Sequence, residues 1–335
     1  MKVAIIGVGN WGPHLLRNFF NHQSVDGIYC YDIDKQKIDA VRKKYAQVET
    51  TARYDDILNN ASINAVIVAT PVTTHFELAR QALQHGKHVL VEKPLTSTPE
   101  HGTKLVNIAR ENNCVLMVDH TSVYNGAIRK IKEIIDAGGI GNVMYVTTVR
   151  TSQGLAQSDT NVVWDLAIHD LAIVDYLLPT RPKAISATGT SHVSKYEDIA
   201  SVTLFFDTTC IAHLHVTWLS PIKVRRLIIG GTKKTIIFDD SETTAKIKVY
   251  EKNFECPSQK TTLESSIHTM PGVYDLPQYD TTEPLALVTD EFIQSIEQNR
   301  KPLTNGEVGL KIVKILTAVD KSMKKGGATI QLMDR

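Results

Sequence analysis

The opening twelve residues constrain the fold more than any other stretch. Val3 to Ile6 form a short apolar run closed by glycine, which suits a strand buried on both faces. Gly7, Gly9 and Gly12 follow at the spacing of a strand-to-helix turn that cradles a pyrophosphate. The first glycine permits the tight turn, the second lets backbone approach phosphate, and the third lets helix pack on sheet. A glycine triad alone also fits an ordinary loop. A second signal agrees with it: the next apolar run, Ile28 to Tyr31, leads into Asp32, roughly 20 residues past the last glycine, where a carboxylate accepts hydrogen bonds from a ribose 2′-hydroxyl. An acid there repels a 2′-phosphate, so NAD is favoured over NADP. Arg42 and the lysines at 35, 37, 43 and 44 are the residues that could admit the phosphorylated form or form a solvated helix face.

The pattern then repeats. Helices are expected over 11–20 and 33–45, and a buried strand over Ala65 to Ala69, stopped by Thr70-Pro71. Thr74 is placed to cap a helix running to His85, which Gly86 ends. A strand over His88 to Glu92, a helix begun by Thr98-Pro99 and a strand over Val115 to Val118 complete an alternation that predicts an α/β domain with a mostly parallel sheet. After His120 the texture changes. One amphipathic helix over 127–137 precedes longer two-faced strands near 143–149, 183–189, 200–206, 210–218, 224–229, 234–238 and 244–250, interrupted only by a helical stretch over 165–178. Strands without intervening helices predict an open, mainly antiparallel sheet in an α+β domain. The stretch 252–283 lacks a period and is long for an idle loop, so it is expected to cover a site or a subunit contact. Helices near 285–298 and 307–324 finish the chain. The division expected is 1–121 for the dinucleotide and 122–335 for substrate binding and oligomerisation.

With 335 residues the chain can fill two such domains. Its 37 Lys and Arg nearly balance 36 Asp and Glu, for a net +1, so nothing calls for nucleic acid or an anionic membrane. The cysteines at 30, 114, 210 and 256 are too widely spaced for a metal knuckle or a disulfide scaffold. No secretory leader or spanning run is visible, which makes the cytoplasm the expected compartment.

In open α/β sheets, ligands gather outside the carboxyl ends of the strands. Thr70 and His75 follow one such end and could line the cofactor, although His75 could equally be a cap or a surface residue. Lys93 follows another, with Pro94 restricting its backbone. A lysine held there can bind a substrate hydroxyl and help move its proton. In Trp164-Asp-Leu-Ala-Ile-His-Asp170, Asp165 and His169 are four apart and share a helix face. An acid beside an imidazole orients the ring and suits His169 to accept a proton as hydride leaves the same carbon. A helix cap by Asp165 beside a core histidine is the alternative. No metal site is expected: the pair lacks a third ligand, and His213 and His215 are better read as packing or interface residues.

The combination of Gly7-Val-Gly-Asn-Trp-Gly12, Ala69-Thr-Pro71 with His75, Glu92-Lys93-Pro94 and Asp165-Leu-Ala-Ile-His169 resembles the glucose-fructose oxidoreductase and inositol dehydrogenase (Gfo/Idh/MocA) family over essentially the full chain. The resemblance implies a Rossmann nicotinamide domain and a second domain whose sheet often mediates oligomers, here a homodimer or homotetramer. It implies a cofactor set of Gly7, Gly9, Asn10, Trp11, Gly12, Asp32, Thr70, Pro71, His75, Glu92 and Lys93. It also implies that Lys93, Asp165 and His169 meet at the nicotinamide, and that the Lys93-Pro94 bond is open to the cis form. The run Trp218 to Arg226, Glu283-Pro284 and Trp164 to Asp170 are similar to a branch acting on nucleotide sugars in surface-polysaccharide synthesis, often at C3. Lys223 and Arg225, placed on one strand face by alternation, offer charges for a diphosphate, or simply a solvated strand. The approach Thr160-Asn-Val-Val-Trp164 departs from the family's usual glycine-rich one. The alternatives are a free-sugar or inositol-type cyclitol dehydrogenase and a nicotinamide-binding regulator.

Overall fold

The computed structural model describes residues 1–153, 160–193, 195–251 and 274–332. The chain forms two units, one of Met1–Tyr124 with Thr282–Thr317 and the other of Asn125–Thr281 with Ala318–Arg335. Residues 282–317, which the sequence reading gave to the second domain, thus pack with the first.

In the first unit the order is β1 (Lys2–Ile6), α1 (Gly12–Phe20), β2 (Gly27–Tyr31), α2 (Lys35–Lys44), β3 (Glu49–Thr50), α3 (Tyr54–Asn59), β4 (Ile63–Val68), α4 (Val72–Gln84), β5 (His88–Glu92), α5 (Pro99–Glu111) and β6 (Leu116–Asp119). The six strands are all parallel, in the order β3-β2-β1-β4-β5-β6. Neighbours reverse direction of winding between β1 and β4, and that is the switch point at which such sheets open a ligand crevice. Val3 to Ile6 and Ala65 to Val68 are completely buried, as strands covered on both faces must be.

Local chemistry sets the helix starts. Thr98 accepts a hydrogen bond from the His101 amide, and Pro99 opens α5. Asp34 accepts from the Gln36 amide, so α2 begins at Lys35 and not at Ile33. Thr74 is not a cap. Helix α4 begins at Val72, directly after Pro71, and the Thr74 hydroxyl donates to the Pro71 carbonyl at 2.8 Å inside the first turn. Gly86, at φ +71°, ends that helix as expected.

The later segment reaches this unit through two elements whose attachments only a folded chain reveals. Helix α8 (Pro284–Glu297) sets Phe292 edge-on to Phe19 of α1, with ring centroids 6.3 Å apart. Thr304 exchanges backbone and hydroxyl hydrogen bonds with Val118 of β6. Helix α9 (Gly306–Lys324) contributes its residues to Thr317 here and its last turns to the second unit.

The second unit begins with α6 (Gly126–Asp136), β7 (Val143–Gln153), a π-helical turn over Val163–Ala167 and α7 (Ile168–Leu177). Strands β8 (Pro182–Thr190), β9 (Ile199–Phe206), β10 (Ile211–Thr217), β11 (Leu219–Gly231), β12 (Lys234–Asp239), β13 (Ile247–Glu251), β14 (Tyr274–Asp275) and β15 (Ile330–Gln331) follow. The sheet runs β14-β13-β12-β11-β7-β10-β9-β8-β15. Every pair is antiparallel except β10 with β7. Buried and accessible residues alternate along β9, so one face is packed and the other open. Residues 252–273, most of the stretch expected to cover a site or subunit contact, lie outside the described residues, as does Cys256. Among the described residues no helix is long and apolar enough to cross a membrane.

Candidate active site

In the first unit the expected cofactor residues gather at the carboxyl ends of β1, β2, β4 and β5. Gly7 has φ +88°, and a Cβ there would lie 2.6 Å from the Ala69 carbonyl oxygen, while one on Gly12 would lie 2.0 Å from the Gly7 oxygen. Both positions therefore require glycine. A Cβ on Gly9 would meet only the Lys37 ammonium, at 3.7 Å, so Gly9 is the open side of the cradle. Asp32 accepts from the Val8 amide and from the Asp34 amide, each at 2.8 Å. The carboxylate fixes the glycine loop while each oxygen keeps a second lone pair for a ribose hydroxyl. A nicotinamide dinucleotide fits this donor set: a backbone cradle for pyrophosphate beside an acid for ribose.

His75 is 1 % exposed. Its two ring nitrogens lie 2.8 Å from the Pro94 and Thr70 carbonyl oxygens, so the ring faces backbone and ties the loop after β4 to the turn after β5. Burial pushes its pKa down, against the pull of those two carbonyls. The Lys93-Pro94 bond is cis. The Lys93 amide donates to Glu92 Oε2 at 2.8 Å, and Trp11 of the glycine loop donates its indole N–H to Asp119 Oδ2 at 3.2 Å.

Sequence reasoning missed Asp119 and His120. Both are 1 % exposed, Asp119 ending β6 and His120 following it, so the rule that drew attention to Lys93, position at the end of a buried strand, would have found them. Burial, helped by the Lys93 charge, pushes His120 down to about 3.

In the second unit Asp165 and His169, both half-buried, lie across the junction of the π turn and α7. A single π turn of this kind is a recurrent feature of functional sites. Asp165 does not cap the turn. Asn161 does: its Oδ1 accepts from the Val163 and Trp164 amides at 3.1 and 3.2 Å. Its amide donates to Asp320, which also accepts the Trp164 indole N–H at 2.8 Å. The unusual Thr160 to Trp164 approach is thus a capping element fastened to α9. Asp165 Oδ2 accepts the Trp218 indole N–H at 2.9 Å. Next to His169, Asp170 forms a buried two-bond ion pair with Arg150, at 3.0 and 2.7 Å. Burial opposes the Arg150 charge, but Asp170, with Asp240 and Asp165 further off, holds its pKa above the ordinary value.

Lys223 and Arg225 lie on β11. Ladder pairing shifts between Leu219 and Val224, so the residues between them do not keep simple alternation and cannot place Lys223 on the face of Arg225. Lys223 is exposed, Arg225 pairs with Asp240 at 3.4 Å and Arg226 grips Asp239. His213 and His215 face the hydroxyls of Thr203 and Ser201.

Residues 1–120 match the oxidoreductase family with an NAD-binding Rossmann fold, and residues 128–237 match the GFO/IDH/MocA C-terminal domain. The chain belongs to the Gfo/Idh/MocA family. As a member it is an NAD(P)-dependent oxidoreductase with an NAD-binding Rossmann fold. Over 93 % of its length it is 24 % identical to the UDP-N-acetylglucosamine 3-dehydrogenase of Acidithiobacillus ferrooxidans, covering 94 % of that protein. It is 30 % identical to scyllo-inositol 2-dehydrogenase (NADP(+)) IolW of Bacillus subtilis over 56 % of this chain and 55 % of that one. In fold it matches the solved Acidithiobacillus dehydrogenase, GnnA, with a TM-score of 0.83 at 23 % identity, over 97 % of this chain and 98 % of that one. It also matches the aldose-aldose oxidoreductase of Caulobacter crescentus, complexed with glycerol, with a TM-score of 0.84 at 18 % identity, over 99 % of each chain.

Proposed function

We propose that the protein is an NAD-preferring dehydrogenase or reductase of a nucleotide-linked sugar, acting at the sugar C3 in surface-polysaccharide or related sugar biosynthesis. The observation that carries the catalytic reading is the Asp165–His169 pair on one turn, with Asp165 held by the Trp218 indole. The likeness to a UDP-N-acetylglucosamine 3-dehydrogenase over nearly the whole chain supports the substrate class, and Asp32 supports NAD.

The bound nicotinamide supplies the hydride acceptor or donor. In oxidation His169 takes the hydroxyl proton as hydride leaves the same carbon, and in reduction it returns it. Lys93 holds that hydroxyl and relays its proton. Asp165 orients His169 or a neighbouring substrate hydroxyl, and the indole bond keeps the carboxylate from swinging away. The glycine loop and Asp32 hold the cofactor, so that proximity accounts for a large part of the rate. Residues 1–124 with 282–317 would form the cofactor unit and 125–281 with 318–335 the substrate and assembly unit of a cytoplasmic homodimer or homotetramer. Lys223 and Arg225 are the cations proposed for a diphosphate, Arg225 by exchanging Asp240 for phosphate.

The test is nicotinamide absorbance in stopped flow, after mixing protein and NAD with nucleotide sugars, free sugars and inositols. Selective reduction by a nucleotide sugar supports the reading, and a signal only with free polyols overturns its substrate class. That second reading, a cyclitol dehydrogenase, is favoured by the identity with scyllo-inositol 2-dehydrogenase over part of the chain.

A further inference from the structure

Each of the three tryptophans donates its indole N–H to an aspartate: Trp11 to Asp119, Trp164 to Asp320 and Trp218 to Asp165. The second and third of these bonds meet at the π turn over Val163–Ala167, which carries both Trp164 and Asp165. Asp320 of α9 reaches that turn twice. Its Oδ2 accepts the Trp164 indole at 2.8 Å, and its Oδ1 accepts the Asn161 side-chain amide at 3.0 Å. Asn161 in turn holds three consecutive backbone amides. Its Oδ1 accepts from Val163 and Trp164, at 3.1 and 3.2 Å, and its backbone carbonyl accepts from Asp165 at 3.2 Å. All of these residues lie in the second unit.

We infer that Asp320 is a positioning residue for Asp165: by locking Asn161 and Trp164 it holds the π turn in the shape that brings the Asp165 carboxylate to the Trp218 indole. The inference rests on the catalytic reading of Asp165 and His169 above, and adds to it a residue that acts on the chemistry only through Asn161 and Trp164.

Donor and acceptor chemistry allows the cap one orientation. Asn161 is 9 % exposed, so a polar group left unpaired on it is costly. Turned over, its NH2 group would face the Val163 and Trp164 amides, donor against donor, and its oxygen would face Asp320, acceptor against acceptor. An aspartate at 161 would cap the same amides but would have no hydrogen to give Asp320. Both Asp320 oxygens thus serve this one turn, one through the cap and one through the indole. The shape of the turn matters because an α turn closes between residues four apart and a π turn between residues five apart. Asp165 sits in the π turn and His169 in α7. A π turn relaxing to an α turn would re-aim one against the other and draw Asp165 away from Trp218.

The test reads the three indole N–H resonances by nitrogen-15 NMR, alongside single-turnover hydride transfer from UDP-N-acetylglucosamine to NAD. Asp320→Asn sets an NH2 group against one of the two donors. It should displace the Trp164 and Trp218 resonances, leave that of Trp11 in place, and slow hydride transfer about tenfold with the Kd for NAD unchanged. The double variant Asn161→Asp with Asp320→Asn reverses the link. Its carboxylate caps the turn as asparagine does, while the amide at 320 donates to that carboxylate and accepts the Trp164 indole. It should recover most of the rate and return the Trp218 resonance to its wild-type position, which a general loss of stability would not explain. Trp164→Phe removes one of the two bonds and keeps a ring in place. It should displace the Trp218 resonance in the same direction, and it decides the matter if Asp320→Asn does not fold. A Trp218 resonance unmoved in Asp320→Asn or in Trp164→Phe overturns the inference, and so does a double variant no faster than Asp320→Asn. Wild-type protein that transfers no hydride from UDP-N-acetylglucosamine removes the substrate reading alone, and the Trp218 resonance then decides the inference.

Discussion

The acids of the two units are held in opposite ways. In the first unit, Asp119 is 1 % exposed and accepts from the Trp11 indole and the Thr121 hydroxyl, and burial drives its pKa upward. In the second unit, Asp165 and His169 remain half-buried, and Asp165 is steered by a neutral indole donor. Beside them lies the buried Arg150–Asp170 ion pair, whose acid directly follows His169. A group that must exchange a proton with substrate at neutral pH is served by partial exposure and a fixed orientation. A group that only holds its neighbours can be dried out until its protonation is frozen. On the proposed reading, the buried acid of the first unit holds loops in place, while Asp165 and His169 of the second handle the substrate proton.

This contrast can be broken by mutation. The largest effect should come from His169→Ala, which should slow single-turnover hydride transfer about 10²- to 10⁴-fold while leaving NAD affinity near wild type. Near-normal turnover would remove His169 from the role. Asp170→Asn leaves Arg150 a buried, uncompensated cation, and urea unfolding should show a loss of about 3–5 kcal/mol. Trp218→Phe keeps the ring but removes the donor to Asp165. It should lower turnover by about tenfold, with a change in kcat and little in the Michaelis constant for NAD.

The smallest effect concerns pH. Burial and the Lys93 charge depress the pKa of His120 to about 3 from its ordinary value of 6.5. Its contribution to stability is therefore complete above 6.5 and is lost as pH falls from there towards about 3. His120→Leu should lack that component of the acid loss in thermal melts across this window. A variant whose melting follows wild type throughout would show that His120 does not titrate between folded and unfolded states.

What the sequence revealed divides along the line between local and non-local physics. The glycine cradle was legible because its requirement is a backbone conformation within six residues, and the α5 start because Thr98-Pro99 is a local cap. Thr74 misled because it has the chemistry of a cap, although Val72 could already enter the helix after Pro71. The π turn was invisible because a spacing of four places Asp165 and His169 near one face in either kind of helix. Asn161, the actual cap, lies ahead of the motif that drew attention. Alternation identified the two-faced strands of the second sheet, but not the parallel pairing of β10 with β7, which depends on contacts far apart in the chain. Likewise nothing local in Thr304 announces that it bonds Val118 of the first unit.

The most direct test of the division between holding and proton exchange is to measure NAD affinity and single-turnover hydride transfer on one preparation of Asp165→Asn. The account predicts transfer slowed by at least about tenfold with the Kd for NAD unchanged. A Kd that weakens in step with the rate, or a rate equal to wild type, would contradict it.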